Sequence, residues 1–167
     1  MSPKPIFILL LSFVLCHAQQ QADDPPLPEM LGEIERQMIL KERNPKPHVE
    51  AALKIAEFRI KNASQLALES QFQTAMQELG AFLKLVIYAD TYTRKLPIKK
   101  NKDRNHCLKQ IEQAIFKQTR NLEAATRALP LEAREAVETQ IGEVKKIRLR
   151  AINDLLGDGQ VINSPNE

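Results

Sequence analysis

Apolar residues recur along the chain at spacings of three and four, the rhythm of one face of an α-helix. Leu27, Met30, Leu31, Ile34 and Met38 predict a first short helix over about 28–43, closed by Asn44-Pro45. Pro28 suits its first turn, and Lys41 and Arg43 suit the negative C-terminal end. Val49, Leu53, Ala56, Ile60, Ala63 and Ala67 then form one apolar face. Phe72, Ala75, Met76, Leu79, Phe82, Leu83 and Val86 form a second, offset from the first. With no cluster of turn residues between them, the pattern favours one long helix over about 48–96, bent or broken, if anywhere, near Asn62–Ser64 or Gly80. At about 1.5 Å per residue it would span roughly 70 Å.

Leu108, Ile111, Ile115, Leu122, Ala125 and Leu129 follow a 3.5-residue spacing, with Gln118 filling one slot. They predict a third helix over about 104–128 that offers a seam to a neighbour. Asn101, Asp103 and Asn105 supply cap oxygens ahead of it. Leu129-Pro130 makes a corner, and Val137, Ile141, Val144, Ala151, Ile152 and Leu155 place a fourth helix over about 131–156, ended by Gly157. Prolines agree with this division, because the stretches 48–96, 98–129 and 131–164 contain none. The expected fold is all-α: an elongated antiparallel helical bundle of about four helices over 28–156, followed by a disordered tail over 157–167.

Composition narrows the picture. The chain has 167 residues, 43% of them hydrophobic, with 5 glycines and 2 cysteines. That is enough for one domain and too apolar for a disordered chain. The glycines are too few for a turn-rich β fold or a phosphate-cradling loop, and the cysteines too few for a disulfide scaffold or a Cys-based zinc site.

The N-terminus reads as an export signal. Lys4 precedes a run from Ile6 to Cys16 that is apolar apart from Ser12. The run is shorter than the roughly 20 residues a membrane span needs. Cys16-His17-Ala18 has the small-x-small form of a signal-peptidase site, so cleavage is expected after Ala18, leaving a flexible leader over 19–27. Leu15 argues against a lipid-modified Cys16, which needs a small residue before it. The expected destination is the periplasm or the extracellular space. The mature chain keeps a single cysteine, Cys107, which is either buried and inert or available for pairing between molecules.

Candidate chemistry is sparse. After cleavage the histidines are His48 and His106, both near predicted helix starts, where solvated capping roles are common. Neither has a glutamate three residues before it, as helical-bundle metal sites often require. His106 and Cys107 are adjacent, about 100° apart around a helix, and so do not share one metal from one face. Glu132, Glu135, Glu138 and Glu143 alternate with Arg134, Lys145 and Lys146 as on a solvated, salt-bridged surface. No catalytic residue, cofactor or metal is expected. Asn62-Ala63-Ser64 matches a glycosylation acceptor but falls inside a predicted helix.

The least ordinary feature is a basic segment. Arg94, Lys95, Lys99, Lys100, Lys102, Arg104 and Lys109 are seven positive charges opposed only by Asp103. The whole chain carries a net charge of only +3, so the charge is concentrated. Such a segment attracts anionic lipid, polysaccharide or nucleic acid. Export and the shortage of aromatics for base stacking argue against nucleic acid. A second group, Lys145, Lys146, Arg148 and Arg150, lies on the fourth helix. The leading expectation is an exported, non-enzymatic interaction or structural protein that works through helix surfaces, with a protein partner or with itself. The alternatives are a binding module for an anionic ligand or membrane surface through the turn over 94–109, and a cofactor-binding bundle.

Overall fold

The structure, a computed structural model, describes residues 24–157. The expected signal peptide, its cleavage site and the expected tail beyond Gly157 lie outside the described residues. The described residues are all-helical: α1 (Glu33–Leu40), α2 (Pro45–Leu68), α3 (Phe72–Lys95), a 3-10 turn (Ile98–Lys100), α4 (Asn101–Ala128) and α5 (Leu131–Leu156). Helices α2 to α5 run alternately up and down. Helix α2 packs on α3 and α4, α4 on α5, and α3 touches both α4 and α5, while α1 lies against α2 alone.

The expected long helix over 48–96 is in fact two. The break falls neither at Asn62–Ser64 nor at Gly80, both of which sit in uninterrupted helix, but at residues 69–71. Ser70 adopts a left-handed conformation with φ 61°. The Gln71 amide donates to the Leu66 carbonyl at 2.9 Å and the Ser70 amide to the Ala67 carbonyl at 3.2 Å. This is a Schellman termination, which satisfies orphan carbonyls at the end of α2. Glycine normally occupies the left-handed position because it has no Cβ penalty. A serine there carries no turn signal in the sequence. The two offset apolar faces are therefore two helices facing a common core. The break also shortens the bundle: α4, with 28 residues, is its longest element at about 42 Å.

The first helix is shorter than the pattern predicts. Pro28 to Leu31 forms a turn instead, with the Leu31 amide bonded to the Pro28 carbonyl at 3.3 Å, and the helix begins after Gly32. Glu35 accepts the Gly32 amide at 3.0 Å. The helical phase is consequently reset. Leu31 and Ile39 are buried, whereas Ile34, expected on the core stripe, is 79% exposed. Of the expected leader, Pro25 is buried and Leu27 packs against the core.

Helix α4 begins at Asn101 rather than near 104, after Lys100 and with no side-chain cap bond, so Asn101, Asp103 and Asn105 lie inside it instead of capping it, while the later boundaries match their signals. Helix α5 covers 131–156 as expected, and Gly157 has φ +76°. The α4 seam is buried throughout, from Leu108 through Ile111, Ile115, Gln118, Leu122 and Ala125 to Leu129. Gln118 is tolerated inside because its Oε1 accepts a hydrogen bond from Asn121 Nδ2 at 2.6 Å.

Candidate functional site

The basic segment over 94–109 forms one end of the bundle. It comprises the last turn of α3, the connecting 3-10 turn and the first turns of α4. Two ion pairs fix this end. Lys46 in the first turn of α2 meets Asp103 at 3.0 Å, and Arg94 Nη1 in the last turn of α3 donates to Asp154 near the end of α5 at 2.7 Å. The termini of four helices therefore meet here.

The ion pairs also sort the seven candidate cations. Arg94 is half-buried and engaged on both sides. Its Nε donates to both oxygens of Asp90 at 3.0 and 3.1 Å, and Arg150 reaches the same carboxylate at 3.2 Å. Asp90 is only 4% exposed, and burial at that depth requires such pairing. Lys95, Lys99, Lys102 and Lys109 are exposed, and Lys100 and Arg104 are half-buried. Asp103, the one acid within the segment, is held by Lys46 from another helix. Lys41 and Arg43, on the chain leading into α2, add to the same end. Across 41–46 and 94–109 there are ten positive residues against Glu42 and Asp103.

The second expected basic group is mostly spent on internal pairs. Arg148 bonds Glu112 at 2.9 Å and lies over the Phe116 ring at 4.8 Å. Arg150 serves Asp90, and Lys146 meets Glu143 at 2.8 Å. Lys145 lines a shallow groove of about 380 Å³ between α4 and α5, with Glu138 on its own helix and Glu123 and Arg127 across from it. Its charges are mixed, so it favours no one sign of ligand.

Beneath the basic end lies a buried polar cluster that the sequence pattern did not reveal. His48, expected to be a solvated cap, is 5% exposed. Its Nδ1 is 2.9 Å from the Glu42 carbonyl and its Nε2 is 2.7 Å from the Tyr88 hydroxyl. A carbonyl only accepts, so Nδ1 carries the proton and Nε2 accepts from Tyr88 when the ring is neutral. The imidazole stacks on Tyr92 with centroids 4.3 Å apart. Burial lowers its pKa below the ordinary 6.5, with the Glu42 carbonyl pulling the other way. Burial also raises Tyr88, and pushes Tyr92 up to about 12.

Cys107 is buried nearby and free, within hydrogen-bond reach of the Thr93 side chain. Burial, helped by the Asp103 carboxylate, pushes its thiol up to about 11. A neutral, enclosed thiol is a poor nucleophile and does not reach a second molecule. His106 is exposed on the other side of the residue pair. Tyr88 and Tyr92, like Asp90 and Arg94, stand four apart on α3, a spacing visible in the sequence. Their partners on α2 and α5 lie 40 and 60 residues away and are not.

Among the described residues no group of His, Cys, Asp or Glu is arranged to hold a metal ion. No helix among them is long and apolar enough to cross a membrane. Compared with models of known protein families, with curated proteins and with solved structures, the chain matches none.

Proposed function

We propose that the protein is an exported, non-enzymatic helical interaction protein, and that the surface it interacts through is the basic end of the bundle. One observation carries this reading. Lys99, Lys100, Lys102 and Arg104 share one acid within the turn, Asp103, and that carboxylate is held by Lys46 on a different helix. Several charged side chains elsewhere are engaged with one another: Arg59 with Glu35 and Glu78, Arg148 with Glu112, and Arg150 with Asp90. A local excess of one sign on a braced scaffold attracts a partner of the opposite sign.

Export rests on the N-terminal sequence, with Gln19 as the first mature residue. The test of the interaction is retention of the purified protein on a heparin matrix. Wild type is expected to bind and to elute with salt. The variant K99E/K100E/K102E/R104E is expected to pass through with its helical circular dichroism intact. Equal retention of the two proteins removes the basic end as the binding surface.

A further inference from the structure

Two of the leucines exposed among the described residues stand at the basic end. Leu155 and Leu156, the last residues of α5, are 37% and 52% exposed. The register of the α4–α5 hairpin sets them beside the basic turn. Arg148 pairs with Glu112, and antiparallel helices keep step as they continue, so 155–156 comes level with about 104–105. The Arg94–Asp154 bridge fixes the same point from α3. Helix α5 thus delivers two apolar side chains to the rim of a cationic face.

A soluble polyanion has a use for the lysines and none for the leucines. A bilayer surface uses both. Its anionic headgroups pair with the cations, while apolar side chains reach the acyl boundary a few ångströms below. Lysine suits this geometry because its aliphatic stem lies along apolar surface while the ammonium stays among headgroups. We infer that this end of the bundle docks on an anionic phospholipid bilayer, with Lys99, Lys100, Lys102 and Arg104 among the headgroups and Leu155 and Leu156, on the rim of the same face, against the apolar boundary. The inference rests on the basic end being the interaction surface and adds the class of partner.

The test is co-sedimentation of purified protein with vesicles of phosphatidylglycerol and phosphatidylcholine, against vesicles of phosphatidylcholine alone, at low and high salt. Binding is expected to the anionic vesicles only, weakened by salt. Each cation near an anionic surface contributes about fivefold in partitioning, so K99E/K100E/K102E/R104E loses more than about a hundredfold. L155N/L156N loses about tenfold or more on vesicles, since apolar insertion is removed, and keeps wild-type retention on heparin. Leu156→Asn alone, at the more exposed position, gives the same direction where the double variant loses helical signal. Vesicle binding indifferent to the leucines overturns the bilayer in favour of a soluble polyanion. Retention on heparin without vesicle binding does the same and leaves the proposed function standing. Loss of both ends both readings.

Discussion

At the end where α3 turns into α4, buried polar groups hold the helices in register, and at the opposite end small apolar side chains do so. The first end has His48 between the Glu42 carbonyl and Tyr88, and Asp90 between Arg94 and Arg150. The second has Ala63, Ala67, Ala75 and Ala125 in the core, a serine-terminated helix and the Leu129-Pro130 corner. Close approach of backbones through alanine is tolerant of small shifts. A buried ion pair or a two-sided histidine is not, because misalignment leaves a desolvated group unpaired. Rigid polar bracing thus lies directly beneath the surface charge. On the proposed function, a face that presents its lysines to a partner gains from such a floor.

The largest expected effect is at a position between the two ends. Ile115→Asp places a carboxylate on the fully buried α4 seam with no cation to pair with it, and is expected to cost about 4 kcal/mol or more. Chemical denaturation would show it as a large drop in midpoint or as failure to fold. A loss under 1 kcal/mol would mean that the seam is not the core of the bundle.

The next separates the two ends by pH. His48 has a folded pKa below its unfolded value near 6.5, so below that value the unfolded chain binds the extra proton. Its contribution to stability is present above pH 6.5 and is lost as the pH falls from there through the lowered folded value. The slope in that window is bounded by one proton's worth, about 1.4 kcal/mol per pH unit. His48→Gln, which cannot titrate, is expected to flatten the melting-temperature profile just below pH 6.5. An unchanged profile would assign the acid sensitivity to other groups.

A smaller change tests the far end. Ser70 stands left-handed where a glycine carries no steric cost, so Ser70→Gly is expected to stabilise by about 0.5–1 kcal/mol, read as a rise in melting temperature. Destabilisation would indicate that the Ser70 side chain supports the turn.

The same turn shows where the sequence is legible and where it is not. The α4 seam and the whole of α5 could be read directly, because heptad spacing, Pro130 and Gly157 all state their purpose locally. The division of α2 from α3 could not, since a Schellman turn built on Ser70 shows no glycine, and only the offset of the two apolar faces hinted at it. In α1 the periodicity misled: Gly32 resets the helical phase and turns Ile34 outward. At the candidate surface the cations were legible by count alone. Which of them are spent internally was not, because Asp154 and Lys46 meet Arg94 and Asp103 only after four helices have assembled. His48 looked like a solvated cap for the same reason, its partner Tyr88 lying 40 residues along the chain.

On the proposed function, Lys99, Lys100, Lys102 and Arg104 are surplus to folding and serve a partner. The measurement that meets this most directly is a paired one on K99E/K100E/K102E/R104E: thermal melting, and affinity for anionic vesicles. Exposed charges contribute little to stability, so the melting temperature is expected to stay within a few degrees of wild type, a change of roughly 1 kcal/mol at most, while vesicle binding collapses. A large fall in melting temperature would show the charges to be structural, and binding that survives the four reversals would place the interaction elsewhere on the bundle.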